Sequence, residues 1–238
     1  MKFERVELPG GAILHDRALG ADPGIFFDRQ ALAAQQALVD ARGGRGSVAY
    51  IGLEGRELVL RRYLRGGVPA RIARDRYLWL GEERTRPFRE FRLLAALLQL
   101  GLPVPRPVAA RYLRTGLTYR GELVTERLPG AESLAGRWLA GRTRDADWRE
   151  AGRCIRRFHD AGAQHADLNA NNIMLDDRGN VWLLDFDRGR LRKPGPWRER
   201  SLERLGRSLE KLSRMASPDD DWRKRMSLLR DAHEAAGS

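Results

Sequence analysis

Residues 47–52 and 57–63 read as two strands joined by a turn at Glu54-Gly55-Arg56, which predicts a β-hairpin. Over 87–100 the apolar positions Phe88, Phe91, Leu94, Ala95 and Leu98 recur at helical spacing. Pro87 suits the first turn of that helix, and Gly101 and Pro103 end it. Residues 119–128 read as a further strand, with 108–113 as its partner, and Pro129-Gly130 marks a connection. Beyond it, 148–159 is an amphipathic helix closing at Gly162. Two short strands, 173–175 and 181–184, flank the turn 176–180. From Ser201 onward the chain is helical and charged, with a break near Pro218. Strands first and helices afterwards predict an α+β arrangement, with an N-terminal β-rich lobe over 1–128 and a C-terminal helical lobe over 129–238.

Composition narrows the picture only a little. The 238 residues are 42% hydrophobic, enough for a sizeable core. The longest apolar stretch, 93–104, is interrupted by Gln99 and Pro103 and is too short to span a bilayer. Acidic residues stand in the opening MKFERVELPG where a signal peptide needs an apolar run, so a cytoplasmic location is expected. A single cysteine, Cys154, excludes an internal disulfide and a cysteine-based zinc site; beside Ile155 and Phe158 it reads as packing. Charge changes the picture more. The net charge is +12, and of 44 basic residues only Lys2, Lys193, Lys211 and Lys224 are lysine. A guanidinium offers a fork suited to phosphate and carboxylate, so an anionic partner is expected. Nucleic acid, an acidic membrane surface and a polyanionic substrate satisfy that condition equally.

Candidate chemistry lies in HADLNANNIMLDDRGNVWLLDFD, residues 165–187. His165, Asp167, Leu168 and Asn172 match the kinase catalytic-loop pattern H-x-D-L-x-x-x-N, and Asp185-Phe186 follows after the short hairpin. Phosphoryl transfer explains the residue types. A carboxylate must orient the acceptor hydroxyl and take its proton, the part assigned to Asp167. The phosphates of ATP require Mg2+, an ion that prefers oxygen ligands such as Asn172 and Asp185. Singly, each of these residues is as readily a turn former or a cap; jointly, with strand-turn-strand between them, they point to a protein-kinase-like, bilobal fold. Upstream, the run 43–48 supplies a glycine-rich phosphate loop through Gly44, Gly46 and Ser47, although the same residues make an ordinary turn. No lysine occurs between Lys2 and Lys193, so Arg61 is the candidate phosphate-anchoring cation, with Arg62 facing the other side of its strand. Glu90, on the following helix, is its candidate partner, and 122–128 would run past adenine.

The stretches RRYLRGG (61–67), RDRYLWLGEERTRPFREFRLL (74–94), HADLNANNIMLD (165–176) and VWLLDFDRGRLR (181–192) resemble the 3-deoxy-D-manno-octulosonic acid (Kdo) kinases, and Asp187 stands where most kinases have glycine. The resemblance covers nearly the whole chain. It implies ATP-dependent phosphorylation of the 4-hydroxyl of Kdo on a Kdo-lipid A precursor, at the cytoplasmic face of the inner membrane, with Asp167 catalytic. Independently, only a few residues separate Asp187 from Pro194 and no Ala-Pro-Glu motif follows, which disfavours a protein acceptor. Ten arginines over 61–92 together with Tyr63, Tyr77 and Trp79, and the later Arg188, Arg190, Arg192, Lys193, Trp197, Arg198 and Arg200, suit a sugar carboxylate, lipid phosphates and an anionic membrane surface. They also suit a merely solvated arginine-rich face. The rival readings are a lipopolysaccharide heptose kinase or an aminoglycoside phosphotransferase-like enzyme, a pseudokinase lacking the strand lysine, and an arginine-rich nucleic-acid-binding protein. The last leaves the spacing of Asp167, Asn172 and Asp185 unexplained, so no nucleic-acid partner is expected.

Overall fold

The computed structural model describes residues 1–19, 22–40, 48–53, 55–64, 75–215 and 221–236. The chain forms two compact units, one of residues 1–95 with 106–127 and the other of 96–105 with 128–238.

The first unit is built on a sheet. Its strands are β1 (Phe3–Leu8), β2 (Gly11–Asp16), β3 (Leu38–Asp40), β4 (Val48–Leu53), β5 (Arg56–Arg62), β6 (Tyr77–Leu78), β7 (Pro107–Thr115) and β8 (Thr118–Glu126). They lie in the order β1-β2-β7-β8-β5-β4-β3, with β6 also beside β8, and every pairing is antiparallel. The hairpin β4–β5 occupies the expected place, and Gly55 at its turn has φ +74°, open to glycine at little cost. The β1–β2 hairpin is not among the sequence expectations. Its turn is Pro9-Gly10, with Gly10 at φ +75°. Helix α1 (Arg29–Ala34) starts where the Asp28 side chain accepts from the N–H groups of Gln30 and Ala31. Helix α2 (Arg86–Gln99) belongs here up to Ala95. Ile13, Phe26, Phe27, Leu32, Ile51, Leu58, Leu60, Val108 and Val124 form a buried core against the sheet. Burying a large side chain of this kind contributes about 1.5–3 kcal/mol, so this cluster holds the strand that carries Arg61.

The second unit is mainly helical: α3 (Leu134–Leu139), α4 (Asp145–Asp160), α5 (Trp197–Ser213) and α6 (Trp222–Ala235). Its strands are short: β9 (Glu132–Ser133), β10 (Ala163–Gln164), β11 (Ile173–Leu175), β12 (Val181–Leu183) and β13 (Arg190–Leu191). Residues 96–105, expected in the first lobe, cluster here instead. The Leu183 N–H donates to the Pro103 carbonyl at 3.1 Å, and Arg157 Nη2 donates to the Gly101 carbonyl at 2.7 Å. Helix α3, also absent from the sequence reading, is capped by the Ser133 hydroxyl, which accepts from the Gly136 N–H. Trp138 on α3 meets Trp148 on α4 edge to face at 5.7 Å, and both are fully buried.

Helices α4 and α6 cross closely at Gly152, where any Cβ would lie 2.1 Å from the Leu229 carbonyl oxygen. The same crossing buries His159 and His233, whose Nδ1 and Nε2 lie 3.0 Å apart. Burial first, then the neighbouring ring, push His159 down to about 3, so the pair is neutral at ordinary pH. Cys154 is buried with Sγ 3.7 Å from the Val181 carbonyl, and burial pushes its thiol up to about 12. The packing role expected of it is the one it has.

Candidate active site

The second unit gathers Asp167, Asn172 and Asp185 around one short hairpin. Helix α4 ends at Gly162, whose φ of +73° turns the chain back; its carbonyl accepts the Arg192 N–H at 2.8 Å. The chain then enters the loop at His165. Leu168 and Ala170 are buried and pin the loop, and the Ala170 carbonyl accepts the N–H of Ala135 on α3 at 3.0 Å.

Hydrogen bonds fix the main chain of Asp167 on both sides. Its N–H donates to His165 Nδ1 at 3.1 Å, and its carbonyl accepts from Asn169 Nδ2 and Asn172 Nδ2, each at 2.9 Å. His165 is buried and its Nε2 lies 2.7 Å from the Leu184 carbonyl. A carbonyl can only accept, so the proton sits on Nε2 and Nδ1 is the acceptor. Burial holds this imidazole below its ordinary pKa, in the neutral form that such bonding needs. His165 is therefore a structural strut between loop and strand, with neither nitrogen directed to a metal.

The two halves of the motif meet across β11 and β12. Ile173 pairs with Leu183, Met174 with Trp182 and Leu175 with Val181, and one step further the Leu184 N–H donates to the Asn172 carbonyl at 2.9 Å. Asn172 and the Leu184-Asp185 step are thus neighbours in space. The turn between the strands is tied by Asp176, whose carboxylate accepts from the N–H groups of Arg178 and Asn180 and from Asn180 Nδ2. Asp185 has φ +61°, a left-handed conformation that aspartate tolerates better than bulkier residues. Phe186 is buried between His165, at 4.7 Å, and Phe158, stacked at 5.5 Å. This packing anchors the residue after the left-handed step. From α5, Arg204 contacts Asp167 Oδ1 through Nε at 2.7 Å and Nη2 at 2.5 Å.

In the first unit, Arg61 on β5 pairs with Glu90 on α2: its Nη2 lies 2.6 Å from Oε1 and 2.5 Å from Oε2. The Tyr63 hydroxyl donates to the same carboxylate at 2.6 Å, and Glu90 is buried. Arg62 faces the other way and shares Glu122 on β8 with Arg111 on β7. Alternation along the strand therefore sends the two arginines to different carboxylates. Gly44, Gly46 and Ser47 lie outside the described residues.

The model of the "Lipopolysaccharide kinase (Kdo/WaaP) family" matches residues 29–228. The chain belongs to that family. A "3-deoxy-D-manno-octulosonic acid kinase" of Stenotrophomonas maltophilia (strain K279a) is 49% identical over 229 residues, covering 95% of this chain and 90% of that protein. One of the same name from Xanthomonas axonopodis pv. citri (strain 306) is 52% identical over 213 residues, covering 88% and 84%. Among solved structures, a glucosamine kinase superposes with a TM-score of 0.48 at 16% identity, covering 99% of this chain and 80% of that one. That likeness is too slight to carry weight beside the sequence matches.

For a member of the lipopolysaccharide kinase family, the oxygen donors fit a magnesium ion. With Asn172 Nδ2 committed to the Asp167 carbonyl, its amide oxygen is the atom turned to other use, and Asp185 adds a carboxylate. Both are hard oxygen ligands of the kind magnesium takes one or two at a time, beside phosphates and water. Among the described residues no cluster of three or more His, Cys, Asp or Glu side chains forms a protein-only metal cage. Arg204 is the site residue that sequence reading missed. Thirty-seven positions separate it from Asp167, and nothing local distinguishes it from its arginine neighbours.

Proposed function

We propose that this protein transfers the terminal phosphoryl group of ATP to the 4-hydroxyl of the Kdo residue on a Kdo-lipid A precursor, in lipopolysaccharide core assembly. The observation that carries this reading is the loop holding Asp167 and Asn172 joined to the Asp185 step across β11–β12, in a chain about half identical to proteins named Kdo kinase. Asp167 orients the acceptor hydroxyl and receives its proton. Asn172 and Asp185 hold the magnesium ion, which when bound offsets the negative charge of the phosphates. Arg61, steadied by Glu90, anchors phosphate in place of the usual strand lysine, and Gly44, Gly46 and Ser47 supply backbone N–H groups to it. The first unit is then the nucleotide-binding lobe and the second the catalytic lobe. Asp185→Ala should abolish magnesium-dependent nucleotide binding in calorimetry; binding equal to wild type would remove Asp185 from the metal site.

The acceptor is small or lipid-linked. Between β12 and α5 the chain has only residues 184–196, which include β13, and leaves no long segment on which to lay a peptide. Exposed cations at Arg188, Arg190, Arg192 and Lys193 follow Asp185 directly and suit a sugar carboxylate and lipid phosphates. Work at the cytoplasmic face of the inner membrane is supported by exposed Leu78, Leu80 and Leu117 near Trp79, whose N–H donates to the Leu117 carbonyl. Among the described residues no helix is long and apolar enough to cross a membrane. The attachment proposed is peripheral and electrostatic, a reading supported by the net charge of +12.

Purified protein with labelled ATP should label Kdo-lipid A precursor, with mass spectrometry placing the phosphate on the 4-hydroxyl. Label confined to a heptosylated precursor or to an aminoglycoside would overturn the acceptor. The protein should also sediment with phosphatidylglycerol vesicles and be released by salt. Equal binding to pure phosphatidylcholine would overturn the electrostatic attachment.

A further inference from the structure

We propose that Arg204 is the positioning residue for Asp167, contributed by α5 to a catalytic loop that contains no cation of its own. The inference rests on the role proposed for Asp167.

The loop's main chain is fixed by His165, Asn169 and Asn172, but those bonds all fall on the N–H and carbonyl of Asp167. They leave the side-chain torsion undetermined. Among the described residues, Arg204 supplies the polar contact to the carboxylate, and both of its nitrogens fall on one oxygen, Oδ1. Two donors on Oδ1 fix the carboxylate and leave Oδ2 to meet an acceptor hydroxyl. Residues 165–176 contain neither lysine nor arginine, and the Nδ2 groups of Asn169 and Asn172 go to the Asp167 carbonyl instead, so the cationic contact comes from α5.

Helix α5 is a rigid base for that arm. Trp197, Ser201, Leu202, Leu205 and Leu209 are buried along one face, the Ser201 hydroxyl donates to the Trp197 carbonyl at 2.9 Å, and Trp197 Nε1 donates to the Lys193 carbonyl at 2.9 Å. Arg204 stands on the outward side of the helix. Both partners are about half exposed, at 50% and 54%. An ordinary exposed ion pair of this kind adds little to stability. Its value lies in geometry: a displacement of about 1 Å at a reacting group can cost on the order of 10²-fold in rate.

The test is a cycle of Arg204→Ala, Asp167→Asn and the double variant, with kcat, both KM values and melting temperature measured on the full chain. Arg204→Ala should lower kcat by about 10²-fold with both KM values and the melting temperature little changed. Arg204→Lys should recover part of the loss, since one ammonium reaches Oδ1 without the fork. In the Asp167→Asn background Arg204→Ala should cost almost nothing further, because a residue acting through another has no effect once that other is gone. An unchanged kcat in Arg204→Ala would make the pair an inert surface contact and overturn the inference. Losses that add in the double variant, with a raised acceptor KM, would also overturn it, by placing Arg204 directly on the substrate. A wild-type protein that phosphorylates none of the acceptors sinks the proposed function itself, which keeps the two failures apart.

Discussion

Asp167→Asn is expected to lower turnover by about 10²–10⁴-fold while ATP binding survives, the usual cost of removing a positioned acid–base group. The substitution isolates chemistry from architecture. Three of the bonds that hold residue 167 use its backbone, so they persist in the variant. An asparagine oxygen still accepts from Arg204, so the side chain stays where the aspartate was. What disappears, on the role proposed for Asp167, is the ability to take a proton from the acceptor. That loss corresponds to about 3–5 kcal/mol of barrier. Phosphate label on the acceptor measures turnover, and calorimetry with magnesium and ATP measures binding. Turnover near the wild-type rate would remove Asp167 from the reaction.

Trp148→Ala should destabilise the second unit by about 3–5 kcal/mol, the range for truncating a fully buried large aromatic. Trp148 has no exposed surface, and its ring meets Trp138 edge to face. The cavity left behind lies under α3, the helix whose Ala135 N–H holds the Ala170 carbonyl of the catalytic loop. The expected shift in melting temperature is roughly 6–20 °C for a chain of this size. Among the described residues Trp148 Nε1 has no hydrogen-bond partner. Trp148→Phe, which also removes that unpaired donor, should therefore cost much less. Equal losses in the two variants would show that ring volume is not what the site needs.

Much of the site was legible because its signals are local. His165, Asp167, Asn172 and Asp185 lie within one short stretch, and the turn chemistry of Asp176 and Asn180 announces the hairpin that joins its ends. Arg61 was singled out by elimination, from the lack of lysine on its strand, and its expected pairing with Glu90 is the one the structure has. What escaped depends on long-range packing. The β1–β2 hairpin has a clear Pro-Gly turn, yet its strands are stabilised by β7, about a hundred positions later in the chain. Residues 96–105 leave the first unit because Pro103 and Gly101 find partners on β12 and α4. Arg204 is one of many arginines on a charged helix. Only the fold of the second unit selects it from Arg200 and Arg207.

An arginine at position 61 also decides which chemical tools can reach this enzyme. A guanidinium stays protonated throughout the accessible pH range and resists acylation, whereas a strand lysine can lose its proton and be acylated or sulfonylated. On the phosphate-anchoring role proposed for Arg61, reagents that capture a strand lysine would find no such amine here, because the chain carries no lysine between Lys2 and Lys193. Dicarbonyl reagents, which condense with guanidines, are the matching chemistry.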